Sequence, residues 1–309
     1  MITYYFKSIR SERAQEITQY KPGSWVYVEA PTEAEIDQLV TKFQLERGHL
    51  QDALDEDEGP RLEKEGDHTY MFVRFAHKSS EGEMATAPLL LIFASSAIIT
   101  VSLVRLPSLD TFLRGKIEFA TTQRAKLVLQ MLHEIVDRYE SCINNTGKQI
   151  KLIRSRLRGH EITNQDFIDF VMIEDELNEF LAALMPTNAM LNKLLRGRHI
   201  PLFDEDQDIV EDLVLSNEQS IEACTSNIKS IVGIRDAHSS ISANSLNRTM
   251  KLLTIATLGI AIPNMFFGLY SMNVGIPLQH EPWIFWVVIG FTAIVTATVF
   301  VVGRRKKVF

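Results

Sequence analysis

LLTIATLGIAIPNMFFGLY (252–270) and WIFWVVIGFTAIVTATVFVV (283–302) decide how the rest of this chain is read. The first has 19 residues, no charge and one internal proline; the second has 20 residues and no charge. About 20 apolar residues cross the hydrocarbon core of a bilayer. A buried core helix could mimic one such run, but two in tandem point to a membrane hairpin. Between them lies a polar turn, Tyr270-Ser271-Met272-Asn273, and a short loop, 271–282.

The flanks orient the hairpin. Arg248 and Lys251 precede the first run, Arg304, Arg305, Lys306 and Lys307 follow the second, and the loop has no Lys or Arg. The positive-inside rule puts both flanks, and with them both termini, in the cytoplasm. Trp283 and Trp286 suit the outer interface. MITYYFKSIR (1–10) has no apolar core of the kind a signal peptide carries.

The 309 residues divide by composition. Residues 252–302 carry one formal charge, Glu281, and 1–250 carry nearly all the rest. The net charge of −7 argues against a nucleic-acid partner, which would need a basic face. Cys142 and Cys224 have no metal-ligand spacing and read as reduced thiols.

Helical patterns fill the region after residue 122. One runs to about Gly159, a second covers 164–197 with Pro186 inside it, and a third starts near Asp204 and meets no proline before Pro263. A single helix of some sixty residues would be on the order of 90 Å long and must lean on neighbours or on other copies. Before residue 105, SWVYVEA (24–30), TYMFVRFA (69–76), PLLLIFA (88–94) and AIITVSLV (97–104) read as strands. Helices are expected at 32–43, 46–56 and 108–118.

Two helices cannot enclose a polar path, so conduction would require several copies around one axis. The bland alternative is a two-span anchor. Asn247, Met250, Thr254, Thr257, Ala261, Asn264 and Gly268 recur at spacings of three and four and share roughly one helix face. Leu252, Ile255, Ile262, Met265 and Phe266 mark the other. An unpaired amide is costly in hydrocarbon, so Asn264 argues for a pore wall or a tight helix seam.

No nucleophile-elbow, phosphate-loop, zincin or dinucleotide motif occurs, and no two of the eight histidines pair at i, i+4. Carboxylates are richer. QDALDEDEGPRLEKEGD (51–67) holds eight acids and FDEDQDIVED (203–212) holds six. The plain account is a solvated face with helix N-capping. The sharper one is a hard-cation site, because Mg²⁺ and Ca²⁺ take oxygen ligands. Asp208 and Asp212 are one helical turn apart.

The long helix running into a span, MKLLTIAT (250–257), the mid-span proline, Tyr-Ser-Met-Asn, Pro277, the second span and RRKK (304–307) together resemble the CorA family of divalent-cation channels. The resemblance covers the whole layout and is specific over about 244–309; QDALDEDEGPRLE (51–63) matches the family's acidic segment loosely. It implies an α+β funnel: a cytoplasmic α/β domain (1–120), a helical bundle and stalk (121–251), spans at 252–270 and 283–302, an external loop (271–282) and a basic cytoplasmic tail (303–309). It implies a homopentamer in the cell membrane, in contact with lipid, that takes up Mg²⁺, with Co²⁺ or Ni²⁺ as further cargo.

Tyr270, Ser271, Met272 and Asn273 would form the selectivity filter. Asn264 would give a polar ring, Met250 and Leu253 an apolar constriction, and Asn247 the cytoplasmic mouth, with Thr257, Ala261 and Gly268 along the wall. Intracellular Mg²⁺ would bind Asp52 and Asp212, with Asp208 beside them, and close the pore. The family's Gly-Met-Asn stands here as Ser-Met-Asn, and its acidic loop as Gly275-Ile276-Pro277-Leu278. Two rivals remain: a Zn²⁺ or other transition-metal transporter of the same layout, and a non-conducting membrane scaffold or ion sensor.

Overall fold

The computed structural model describes residues 1–79, 82–159, 163–197, 199–275 and 280–305, and the side chains of all of these except 157–159. Pro277, Leu278, Lys306 and Lys307, on which part of the loop and tail reading rests, lie outside the described residues. The chain divides into two compact units, Met1–Ile234 and Arg235–Phe309.

The first unit is built on a seven-stranded sheet. Its strands are β1 (Ile2–Phe6), β2 (Gln15–Ile17), β3 (Ser24–Glu29), β4 (Arg61–Glu65), β5 (His68–Lys78), β6 (Met84–Phe93) and β7 (Ala97–Ser102), in the spatial order β2-β1-β3-β7-β6-β5-β4. Only the central β3–β7 pair is parallel; Trp25 faces Ile98 and Val26 faces Ile99. These central strands are covered on both faces, which is why they read as nearly unbroken apolar runs. Alternation sends Val26 and Val28 into one core and Trp25 and Tyr27 into the other.

The helices α1 (Glu33–Phe43) and α2 (Arg47–Asp52) cover the first of those cores with Ile36, Leu39, Phe43 and Leu50. A capping box starts α1: the Glu35 amide donates to Thr32 Oγ1 at 3.4 Å, and the Thr32 amide to Glu35 Oε2 at 2.9 Å. The other core is shared with α3 (Leu109–Leu113), α4 (Arg124–Gly159), α5 (Asn164–Arg196) and the first part of α6 (Asp204–Tyr270).

Pro186 lies inside α5 and has no amide hydrogen to give to the preceding turn. Two side chains serve the carbonyls nearby. Thr187 Oγ1 donates to the Ala183 carbonyl at 2.8 Å, and buried Asn217 of α6 gives Nδ2 to the Leu184 carbonyl at 2.9 Å. Asn217 thereby ties α6 to α5 at a fixed register.

Four expected strands and the three long helices are present. The helix expected at 46–56 stops at Asp52, because acids downstream bond the backbone instead of propagating the helix. The Asp57 amide donates to Asp55 Oδ1 at 3.0 Å and the Gly59 amide to Glu58 Oε1 at 2.9 Å. The helix expected at 108–118 is cut to α3 (Leu109–Leu113), with Gly115 at φ +72° just beyond it. Strands β1, β2 and β4 were not expected; they lie at or beside the sheet's edges.

Candidate pore face

The second unit contains the end of α6 and α7 (Ile284–Arg305), and both helices are long and apolar enough to cross a membrane. Within it α7 covers one side of α6. The rings of Phe266 and Phe291 meet edge-on at 5.4 Å, and a side-chain carbon added to Gly259 would lie 3.7 Å from Phe300 Cζ. Ile255, Gly259, Ile262 and Phe266 are half-buried along this contact, as are Leu258 and Pro263 beside them.

Thr257, Ala261, Asn264 and Gly268 are exposed, and each follows one of the first four by two positions. Two residues turn an α-helix by about 200°, so the stripe of small and polar residues points away from α7. Asn247, Met250 and Leu253 are exposed as well, Met250 at 54% and Leu253 at 60%. Leu252 and Met265, placed on the opposite face by the sequence pattern, are also exposed.

The hydroxyls on the stripe are turned inward. Thr254 Oγ1 donates to the Met250 carbonyl at 2.8 Å, and Thr257 Oγ1 to the Leu253 carbonyl at 2.9 Å. Their hydrogens are spent on the helix, so outward they present oxygen lone pairs. A surface of hydroxyl and amide oxygens accepts hydrogen bonds from the water shell of a cation.

Helix α6 ends at Tyr270. Ser271 caps it: its amide donates to the carbonyls of Phe267 and Gly268 at 3.1 and 3.2 Å, and its Oγ donates to Gly268 O at 2.9 Å. These carbonyls belong to the last turn, which has no helical donors of its own. Among the described residues the non-glycine positions with positive φ are Ala30 and Gln44, so Ser271 carries no left-handed strain. Tyr270, Ser271, Met272 and Asn273 are all exposed.

The acids behave unequally. Asp206 is buried and caps α6, accepting from the Phe203 amide at 3.1 Å, as the plain account of 203–212 expects. Asp208 and Asp212 stand exposed on α6. Asp52, at the end of α2, accepts from Arg61 Nη2 of β4 at 2.6 Å. Among the described residues no three His, Cys, Asp or Glu side chains of one chain are grouped to hold a metal ion. Arg61 escaped the sequence reading, although it and Lys64 are the two cations within the acidic stretch 51–67.

The model of the CorA-like Mg²⁺ transporter protein family matches residues 21–305. The chain belongs to the CorA family. It is 22% identical over 296 residues to the cobalt/magnesium transport protein CorA of Methanocaldococcus jannaschii, covering 91% of this chain and 90% of that one. It is 21% identical over 300 residues to the magnesium transport protein CorA of Wolinella succinogenes, covering 92% and 90%. The complete structure of the M. jannaschii CorA magnesium transporter superposes with a TM-score of 0.84 at 21% identity, over 99% of this chain and 98% of that one. This CorA-family chain thus shares the whole fold: an α/β unit, a long helix and two C-terminal apolar helices. CorA proteins move ions across membranes and are not enzymes.

Proposed function

We propose that the chain assembles as a homopentamer in the cell membrane and forms a channel for divalent cations, with Mg²⁺ as the main cargo and Co²⁺ or Ni²⁺ as others. The observation that carries the reading is the α7-free face of α6. Five copies of that face around an axis would line a path with Asn247, Met250, Leu253, Thr257, Ala261, Asn264 and Gly268. Met250 and Leu253 supply the apolar constriction, and Asn264 the polar ring.

Tyr270, Ser271, Met272 and Asn273 form the outer mouth. Mg²⁺ dehydrates reluctantly, so one neutral amide oxygen per subunit at Asn273 selects the hydrated ion through its water shell. Arg248, Lys251, Arg304 and Arg305 hold both flanks in the cytoplasm. The exposed apolar side chains of α7, among them Phe285, Val287 and Ile294, face lipid. Asp208 and Asp212 are the exposed acids that a cytoplasmic Mg²⁺ would meet at a subunit boundary; with it bound, the ring closes.

Reconstitution tests this. Purified protein goes into liposomes holding a Mg²⁺-sensitive dye, under an inward Mg²⁺ gradient. Uptake is expected, and Asn273→Ala should abolish it. Zn²⁺ uptake without Mg²⁺ uptake would replace this reading with the transition-metal one, and no uptake of Mg²⁺, Co²⁺, Ni²⁺ or Zn²⁺ with the scaffold.

A further inference from the structure

The acidic turn after α2 already holds a cation. Arg61 sends all three guanidinium nitrogens to carboxylates: Nη2 to Asp52 Oδ2 at 2.6 Å, Nε to Glu63 Oε1 at 2.5 Å, and Nη1 to Glu58. Its Cζ lies 3.8 Å from the centroid of the Phe72 ring, which fixes the plane of the fork from one side. Arg74 holds the turn itself, donating Nη1 to the carbonyls of Glu56 and Glu58 at 2.7 and 2.9 Å. His49 Nε2 faces the far oxygens, 3.5 Å from Glu63 Oε2 and 3.3 Å from Glu65 Oε2.

A guanidinium keeps its charge at any physiological pH, is less strongly hydrated than an ammonium, and matches carboxylates with a rigid fork. A divalent ion at Asp52, held directly or through its water shell, would have to settle on a carboxylate that already carries the Arg61 charge. To use Oδ2 it must displace Arg61 or share that oxygen with it at close range. To use the other oxygen it must sit beside a fixed positive charge.

We infer that Arg61 is a built-in counter-cation, which takes within each subunit the place at Asp52 that a divalent ion would need. Asp52 is then no ligand of the cytoplasmic regulatory ion in this chain, and sensing falls to other acids, such as Asp208 and Asp212. The word "regulatory" rests on the channel reading; the chemistry of the Arg61 cluster does not.

The test is a Mg²⁺ titration of the full-length protein in detergent, read as protection from proteolysis, so it reports ion binding and not conduction. A failed uptake assay therefore leaves it standing. Four variants are compared with the parent: Asp52→Asn, Arg61→Gln, Arg61→Lys and the double variant Asp52→Asn/Arg61→Gln. Asp52→Asn should leave the Mg²⁺ midpoint within about twofold of the parent's, and Arg61→Lys, which keeps the charge but not the fork, should fall between the parent and Arg61→Gln. Arg61→Gln, which frees Asp52, should lower the midpoint by about fivefold or more, and the double variant should lose that gain. A midpoint raised about fivefold by Asp52→Asn alone, or left unchanged by Arg61→Gln, overturns the inference. Should Arg61→Gln fail to fold, the Asp52→Asn titration decides by itself.

Discussion

Ser271 caps the end of α6, and the structure sets what replacing it by glycine should do. The hydroxyl bond to Gly268 O, at 2.9 Å and exposed, is worth about 0.5–1 kcal/mol net. Glycine would lose that bond and add about 0.5–1 kcal/mol of backbone freedom. Ser271→Ala should therefore loosen the end of α6 by about 2–5-fold, and Ser271→Gly by about 5–30-fold. Hydrogen exchange of the amides at 271–274 in nanodiscs reads this directly, and the exchange rate should rise from parent to alanine to glycine. Serine has no left-handed strain for glycine to relieve. Mg²⁺ uptake by Ser271→Gly should then stay within about threefold of the parent. A gain of about tenfold in Ser271→Gly, absent in Ser271→Ala, would refute the reasoning, because it would mean the conducting state demands positive φ at this position.

Two further expectations concern the first unit. Burial pushes the Glu176 carboxyl up; the Thr146 hydroxyl, donating at 3.2 Å, opposes this, and Glu179 nearby adds to it. The folded state then binds its proton more readily than the unfolded one, so ionised Glu176 costs stability at neutral pH, and the cost fades as pH falls through the raised value. Glu176→Gln should unfold at a higher temperature than the parent near pH 7 and converge with it near about pH 4; an advantage that grows in acid would contradict this. Asn217 is fully buried and donates to the Leu184 carbonyl. Asn217→Asp puts a carboxylate where a donor stood and should cost about 3–5 kcal/mol in denaturant unfolding. A cost under about 1 kcal/mol would mean that water reaches the site.

The readable parts of the chain are those whose pattern has one cause. The central strands β3, β5, β6 and β7 are covered on both faces, so their apolar runs survive any uncertainty about neighbours. Strand β4 reads RLEKE, and its charges keep an edge from pairing with another chain, which removes the apolar signal a strand is recognised by. The turn after α2 failed for a different reason. Its acids are compatible with a helix start, but here Asp55 and Glu58 bond amides of their own turn. The partnership of Asp52 with Arg61 joins a helix end to a strand nine residues on, and no helix or strand period relates such positions.

For the pore face, sequence supplied the stripe but not its surroundings. Spacings of three and four put Thr257, Ala261, Asn264 and Gly268 on one side of a helix, and that is equally the pattern of a seam with a second helix. The position of α7 separates the two readings within this chain. It meets Gly259 and Phe266, beside half-buried Ile255 and Ile262, so among the described residues the other helix of the second unit is spent on the far side. Asn264 is then left exposed among the described residues of its own chain. In hydrocarbon its amide would cost several kcal/mol, roughly what leaving a polar group unpaired costs in an apolar medium. A monomeric anchor would bear that cost for no return. Under the proposed assembly, copies that turn this face inward would hand the amide to water instead, and with it the lone pairs of Thr254 and Thr257. In the proposed channel, the arrangement that relieves Asn264 would also make a hydrated path.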